Sequence, residues 1–210
     1  MHRILAAALV CGFTMSPAHA ALVDRGGGMI YDDVLKITWL ADASYAKTSG
    51  YDSDGKMTWT AANAWANGLV YGGFDDWRLP TTGTSPVCSG GPCTNSEMGH
   101  MFYNNMGAVF GQSIHSGSNS ANLALFMNVG PFNPGESSFY WSSTDTAGTS
   151  GAWVFNTAGG SQSQFVKSNV FYAWAVRGGD VASPVPLPAT VWLLLSGLGG
   201  LARLGRRRAG

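Results

Sequence analysis

Two apolar ends bracket the chain and leave only its middle free to build a globular core. Met1–Ala20 opens on Arg3, continues through an apolar stretch at Ile4–Phe13 and closes on Ala18-His19-Ala20. Those are the three parts of a secretory signal, cut after Ala20 so that the mature chain begins near Ala21. At the far end, Leu187–Ala202 is an apolar run stopped by Arg203 and by Arg206, Arg207 and Arg208. The run is slightly short for a transmembrane helix, which takes about 20 residues. Its arginines predict a C-terminus held in the cytoplasm and a body outside. Ser183-Pro184-Val185-Pro186 reads as a stiff, extended connection. The expected organisation is therefore a signal peptide at 1–20, one domain at 21–180, a linker at 181–186 and a tail at 187–210. A domain of that length can bury a real core.

The formal charge of zero hides this partition. Of 12 basic residues, five arginines lie in the two ends; the middle keeps 7 basic and all 12 acidic groups, a net charge of −5. An acidic middle argues against nucleic acid, and against anionic polysaccharide, as a default partner, since both need basic patches. Cys11 leaves with the signal. Cys88 and Cys93 remain, and an even pair in an exported chain suggests a disulfide. The alternative is a free redox pair, for which no neighbouring base or helix start is evident at Cys88.

Along the middle, Met29–Tyr31 and the alternation of Leu35, Ile37 and Trp39 with Lys36 and Thr38 predict a hairpin whose second strand is half-buried. Tyr51–Lys56 carries Asp-x-Asp-Gly. It resembles the opening of a calcium loop with Asp52 and Asp54 as ligands, but no Glu follows at EF-hand distance, so a turn is the reading. Thr58 caps a predicted helix over Trp59–Asn67, with Trp59, Ala62, Ala66 and Leu69 on one stripe and Gly68 ending it in the left-handed region. In Asp75-Asp76-Trp77-Arg78-Leu79-Pro80-Thr81, Pro80 holds Leu79 extended, so Trp77 and Leu79 share a face and Arg78 takes the other. Thr94-Asn95-Ser96-Glu97 reads as a capping box for a helix over Asn95–Met106, with Met98, Met101, Phe102 and Met106 inward and His100 off the stripe.

Residues 111–138 read as a long irregular stretch holding one short strand at Leu123–Val129, the kind of loop that carries binding. His115 there has no second ligand at metal spacing. Strands follow at Phe139–Ser143, Ala152–Asn156 and Gln164–Lys167, the last two flanking Gly159-Gly160, and then at Phe171–Arg177 with Tyr172, Trp174 and Val176 on one face. The order is that of an α+β domain of antiparallel strands with two helices. Trp39, Trp59, Trp77, Trp141 and Trp174 fall in periodic segments and are expected in the core; Trp153 and Tyr103 are less constrained. Arg78 and Arg177 each need a carboxylate, for which Asp75 or Asp76 can serve.

Two resemblances become specific on these residues. Val185-Pro186-Leu187-Pro188-Ala189, the apolar run and the Arg cluster together resemble a PEP-CTERM sorting signal of the Val-Pro-Leu-Pro-Ala type. That implies recognition by an exosortase at the inner membrane of a Gram-negative bacterium, and delivery to the cell surface or extracellular matrix. The middle resembles the Lcl C-terminal domain family, long catalogued as a domain of unknown function. The matching segments are Leu35–Leu40, Met57-Thr58-Trp59 with Ala61 and Ala64, Asp76–Thr81, Ser96-Glu97-Met98, Tyr140–Thr144 and Val176–Gly179. Trp59, Trp77, Arg78, Leu79, Pro80, Glu97, Trp141, Ser142, Ser143 and Arg177 carry the family pattern. The resemblance implies a fold like C-type lectins and formylglycine-generating enzymes, and adhesive roles in some members, including binding of sulfated glycans. The chain departs from the pattern by an insertion between Thr81 and Glu97 that holds both cysteines.

The expectation is an exported, non-enzymatic surface or matrix protein that binds a glycan or another matrix component, with no cofactor unless Asp52 and Asp54 hold calcium. One alternative is a purely structural component of a biofilm matrix. Another is an oxidase like the formylglycine-generating enzymes, using Cys88 and Cys93 in thiol or copper chemistry. The family's reactive pair sits near the end of the domain, whereas this one does not. No nucleophile, base and orienter align in the sequence.

Overall fold

Turn chemistry sets the first sheet. A computed structural model describes residues 22–83, 88–133, 135 and 138–181; the signal with Ala20, the linker beyond its first residue, Val181, and the whole sorting tail lie outside them. Strands β1 (Leu22–Asp24), β2 (Met29–Asp32) and β3 (Ile37–Leu40) form an antiparallel meander. Between β2 and β3 the buried Asp32 carboxylate accepts from the backbone N–H groups of Val34 and Leu35 at 3.0 and 2.9 Å, an Asx-type turn. Lys36 then takes a left-handed φ of 56°. That kink drops Leu35 from the expected strand. It also corrects the half-buried reading, because all four residues of β3 are buried. Thr38 faces inward and donates to the Gly179 carbonyl at 2.8 Å.

A short helix α1 (Tyr45–Thr48) and strand β4 (Lys56–Met57) lead into α2 (Trp59–Asn67). Thr58 accepts from the Ala61 N–H as the expected cap. The buried face of α2 is Ala62, Trp65 and Ala66, with Trp59 half-buried at one end. Gly68 sits at φ −94° and so does not end the helix in the left-handed region. After β5 (Trp77–Arg78), the second helix is shorter than predicted: α3 (Glu97–Gly99) passes straight into a π-helical turn over His100–Asn105. Its cap is Ser96, which accepts from the Gly99 N–H at 2.9 Å, so the predicted box starting at Thr94 does not form. Met98, Met101, Phe102 and Met106 are all buried, as their spacing predicts.

The strand expected over Leu123–Val129 is absent. Asn119 caps α4 (Ser120–Leu123) instead, and Asn128 is left-handed at φ 54°, which leaves only Met127 to bridge Asp42. The second sheet comes from β6 (Phe139–Asp145), β7 (Gly151–Asn156) and β8 (Ser161–Val166), joined by β9 (Phe171–Tyr172) and β4. The expected last strand is two strands. After β9 the chain crosses through Ala173-Trp174-Ala175 and enters the first sheet as β10 (Val176–Gly178). The sheet orders are β1-β2-β3-β10-β5 and β4-β9-β6-β7-β8, antiparallel except for the β6–β9 pair.

The molecule is thus α+β, with two sheets and few helices. Trp174 sits at the crossing, fully buried. Its ring lies 4.9 Å from Trp39 on the first sheet and 5.9 Å from Tyr140 on the second, and its N–H donates to the Leu40 carbonyl at 2.7 Å. Among the described residues no helix is long and apolar enough to cross a membrane.

Candidate functional site

The motif residues meet in one seam. β5 pairs with β10, so Trp77 lies opposite Arg177. The Arg78 guanidinium forks onto Glu97, its two nitrogens 2.8 and 2.6 Å from the carboxylate oxygens. Glu97 also accepts from the Thr81 N–H at 2.7 Å. Glu97 therefore joins two segments rather than closing a capping box, and its hydrogen bonds hold the Arg78 guanidinium even more firmly protonated than usual. Arg177 forks in the same way onto Asp76, at 2.7 and 3.1 Å, and lies over the Phe74 ring. That hydrogen bonding pulls the Asp76 carboxyl below its ordinary range.

The other side of the seam is the bulge in β6 between Trp141 and Asp145. Its freed backbone pairs with the segment after Pro80: the Ser143 N–H donates to the Pro80 carbonyl at 2.9 Å, and the Thr82 N–H to Thr144 Oγ1 at 3.0 Å. Ser142 Oγ lies 3.1 Å from Thr82 Oγ1. The Trp59 indole N–H donates to the Ser142 carbonyl and that of Trp141 to the Met57 carbonyl, both at 2.8 Å. Lys167 covers the open face of Trp59, 4.4 Å from its centroid. Trp77, Leu79, Pro80, Trp141 and Ser142 are buried. The seam ties helix to sheet and turns its polar groups on one another.

The two cysteines are bonded: their sulfurs lie 2.07 Å apart. Both are buried, and the loop they close docks on the edge of β8. Ser89 and Pro92 bridge Gln162 and Ser161, and the Gly90 N–H donates to the Gln162 carbonyl at 2.7 Å. Gly83 leaves room for this, since a Cβ there would come within 2.9 Å of Cys93 Sγ. The insertion covers a sheet edge, a common device against edge-to-edge pairing.

Asp52 and Asp54 have another task. Asp52 Oδ1 accepts from the Asp54 and Gly55 N–H groups at 3.0 and 2.8 Å, and Asp54 Oδ1 from the Lys56 N–H at 2.9 Å. Partial burial works against ionisation of Asp52, but these backbone donors prevail and its pKa falls. Among the described residues no group of three or more His, Cys, Asp or Glu side chains is placed to hold a metal ion. The turn is fastened to α1 through the Asp52 N–H and the Ala46 carbonyl, 2.9 Å apart. It brings Gly55, at φ +78°, against the stem of Lys47, and a Cβ there would press on that stem at 3.1 Å.

Beside that turn lies the feature that the sequence reading did not reach: an open cleft of about 340 Å³ lined by Ser44, Lys47, Thr48, Asn128, Phe132 and Tyr172. Asp42 organises its polar wall. One carboxylate oxygen accepts from the Ser44 N–H and the Asn128 amide at 2.9 and 3.1 Å, and the other from Thr48 Oγ1. Ser44 Oγ donates to the Asn128 carbonyl at 3.0 Å. The opposite wall is aromatic: Phe132, 45% exposed, stands edge-on to Tyr172, with ring centroids 5.4 Å apart. Lys56 lies over the Tyr172 ring at 5.0 Å. Lys47 is exposed and forms no ion pair among the described residues. A sequence signal for this cleft existed only in the irregular stretch that supplies Asn128 and Phe132.

The remaining singled-out groups lie elsewhere. Trp153 is buried on β7. Tyr103 is half-buried and donates to the Gly160 carbonyl at 2.6 Å; burial pushes its hydroxyl up to about 12. His100 Nε2 is 3.8 Å from the buried Asp32 carboxylate rather than out on the surface, and His115 Nε2 meets the Val129 carbonyl at 3.0 Å. Neither imidazole is hydrogen-bonded to a serine, threonine or cysteine side chain among the described residues; the Ser113 hydroxyl accepts only from the His115 backbone N–H. No protein-family model and no curated protein matches this chain.

Proposed function

We propose that this chain is an exported, non-catalytic surface or matrix protein whose domain binds a glycan in the cleft between α1 and Phe132. The observation that carries the reading is the make-up of that cleft. One wall presents the Thr48 hydroxyl and the Asn128 amide, both held by Asp42, with the Lys47 ammonium beside them; the other presents ring faces and edges. A pyranose asks for that combination, hydrogen-bonding groups around its rim and an apolar surface against its C–H face. Sites of this kind are pre-formed, with few polar groups placed to fix orientation.

On this reading the domain belongs with the Lcl C-terminal family and its C-type-lectin-like fold, and the tail is an exosortase substrate. The seam of motif residues supports the assignment by giving each of them a partner within the domain. Binding of the full chain to a glycan array tests the glycan part. Binding to at least one sugar, weakened by Phe132→Ala, is expected; silence toward every sugar, including the exopolysaccharide of the producing cell, overturns it. Mass spectrometry of the mature C-terminus tests the sorting part, with the chain expected to end near Val185–Ala189.

A further inference from the structure

Whether a sheet can grow is decided at its outer strands, whose outward N–H and C=O groups have no partner within the sheet. The outer strands are β1 and β5 in the first sheet and β4 and β8 in the second. β4 and β5 are two residues long and hold Lys56 and Arg78, and β1 ends on Asp24. Shortness and charge are the usual protections of an edge, and β8 has neither. Ser161-Gln162-Ser163-Gln164-Phe165-Val166 is six residues without a charge or a proline. Its cover among the described residues is the loop closed by Cys88 and Cys93, which bridges only Ser161 and Gln162. Gln164 and Val166, beyond that loop, are exposed.

The Gln162 carbonyl accepts from the Gly90 N–H at 2.7 Å and so points away from β7. Backbone directions alternate along a strand, so the groups of Gln162, Gln164 and Val166 all point outward. We propose that β8 is a self-association edge held shut by the disulfide loop. When the Cys88–Cys93 bond is reduced the loop lifts, and β8 pairs antiparallel with β8 of a second copy of this chain. Strand addition takes its strength from main-chain hydrogen bonds, and this register fits the strand to itself. A two-fold axis through Gln164 sets each Gln164 N–H against the other Gln164 carbonyl, and each Val166 N–H against the other Gln162 carbonyl. With the loop docked, Gly90 occupies that Gln162 carbonyl and blocks the outer part of the pairing. A second copy supplies the matching groups by symmetry and brings no like charge to the junction, although the domain as a whole is acidic.

The loop is also poised to leave. Gln162 is fully buried, and neither atom of its side-chain amide has a hydrogen-bond partner among the described residues. A buried amide without partners favours any state that lets water reach it, and the disulfide holds the closed state against that pull. Reduction takes two electrons and two protons: two molecules of a small thiol become one disulfide as Cys88 and Cys93 become thiols.

The test is light scattering on the size-separated full chain, in a mild detergent that keeps the apolar tail apart. The oxidised chain is expected at the protein mass of one copy. A small thiol, or Cys88→Ser with Cys93→Ser, should double that mass. Gln164→Lys added to the double variant should return it to one copy, because the two-fold axis sets like charges opposite each other. Gln164 is exposed, so this change spares folding, and circular dichroism verifies it. Register is read by cross-linking in a chain carrying Cys11→Ser, Cys88→Ser and Cys93→Ser. Gln164→Cys should join two copies on oxidation, since hydrogen-bonded partners lie about 5.5 Å apart, within the reach of a disulfide. Gln162→Cys should not, since in this register it faces Val166 rather than its own counterpart. A reduced chain that stays single at every concentration, or an oxidised chain that is already a dimer, overturns the gate. A dimer or larger aggregate that survives Gln164→Lys, or a dimer joined equally well through Gln162→Cys, overturns β8 as the interface.

Discussion

The seam and the cleft use similar side chains to opposite ends. In the seam, Arg78, Glu97, Arg177, Asp76, Ser142 and Thr82 all find partners within the domain, and the indoles of Trp59 and Trp141 donate to backbone carbonyls. In the cleft, Asp42 holds Thr48 and Asn128 from behind, and their remaining hydrogen-bonding capacity, with Lys47, faces solvent. Side chains whose polarity is used up internally hold a fold together. Side chains that are positioned but left open can recognise something else. The contrast warns against reading a dense motif as a binding site: here the motif is the strut, and the open surface beside α1 has no motif at all.

The largest effect that would sharpen this contrast is Trp141→Ala. Trp141 is fully buried and holds the Met57 carbonyl, which ties β6 to the end of β4 just ahead of α2. Removing a buried indole costs about 3–5 kcal/mol, so chemical denaturation should show a much lower midpoint or no folded baseline. Glu97→Ala follows. Breaking a buried ion pair costs about 3–5 kcal/mol, but the Arg78 side chain is 34% exposed and water takes up part of the loss. About 2 kcal/mol is expected from the same measurement. A loss below about 0.5 kcal/mol would remove the seam's claim to be structural. Opening the disulfide by Cys93→Ser should cost up to about 2 kcal/mol, the value for a short loop, and should also loosen the edge of β8. Hydrogen exchange at the Gly90 amide would report that loosening, because its N–H donates to the Gln162 carbonyl.

How far the sequence could be read follows the same divide. The β2–β3 hairpin, the Thr58 cap, the methionine stripe and the β6–β7–β8 run were legible because each depends on near neighbours in the chain. So was the burial of Trp39, Trp77, Trp141 and Trp174. What failed depends on distant partners. Phe171–Arg177 has the period of one strand, yet its two halves pair with different sheets, and nothing local marks Trp174 as the crossing. Glu97 sits where a capping box wants it, but Arg78, 19 residues earlier, is the stronger partner for a carboxylate. The cleft was illegible for a plainer reason. Lys47 comes from a one-turn helix and Asn128 and Phe132 from a stretch without periodicity, and they are brought together by partners distant in the chain, the bridge between Asp42 and Met127 and the bonds of Asn128 to Asp42 and Ser44.

A pH titration separates the two regions more finely. Asp76 is bonded to Arg177, and its pKa lies below the ordinary carboxylate value near 3.9. A carboxyl lowered in the folded state contributes stability that is full above that ordinary value and is lost as pH falls through the lower, folded one. The stability of the wild-type chain should therefore decline on acidification below about pH 4, and Asp76→Asn should flatten that decline. Asp76 is about half exposed, so the amplitude should stay under about 1 kcal/mol, in keeping with a partly screened pair. If Asp76→Asn follows the wild-type curve throughout, the second fork has no share in the seam.

The smallest effect on stability is also the sharpest test of the contrast. Phe132 and Lys47 are exposed, so Phe132→Ala and Lys47→Ala should each leave the denaturation midpoint within about 0.5 kcal/mol of wild type. Thr48→Ala is more informative, because it removes a hydroxyl that Asp42 holds. If the cleft were merely another part of the scaffold, losing that bond would cost about 1 kcal/mol, as a structural hydrogen bond does. If the cleft is a recognition surface, the exposed Thr48 can be replaced at little cost, since water satisfies Asp42 in its place, while binding on a glycan array weakens. Stability and binding should thus move independently at Thr48 and move together at Glu97. A Thr48→Ala chain that loses stability and binding in proportion would erase the distinction between strut and site.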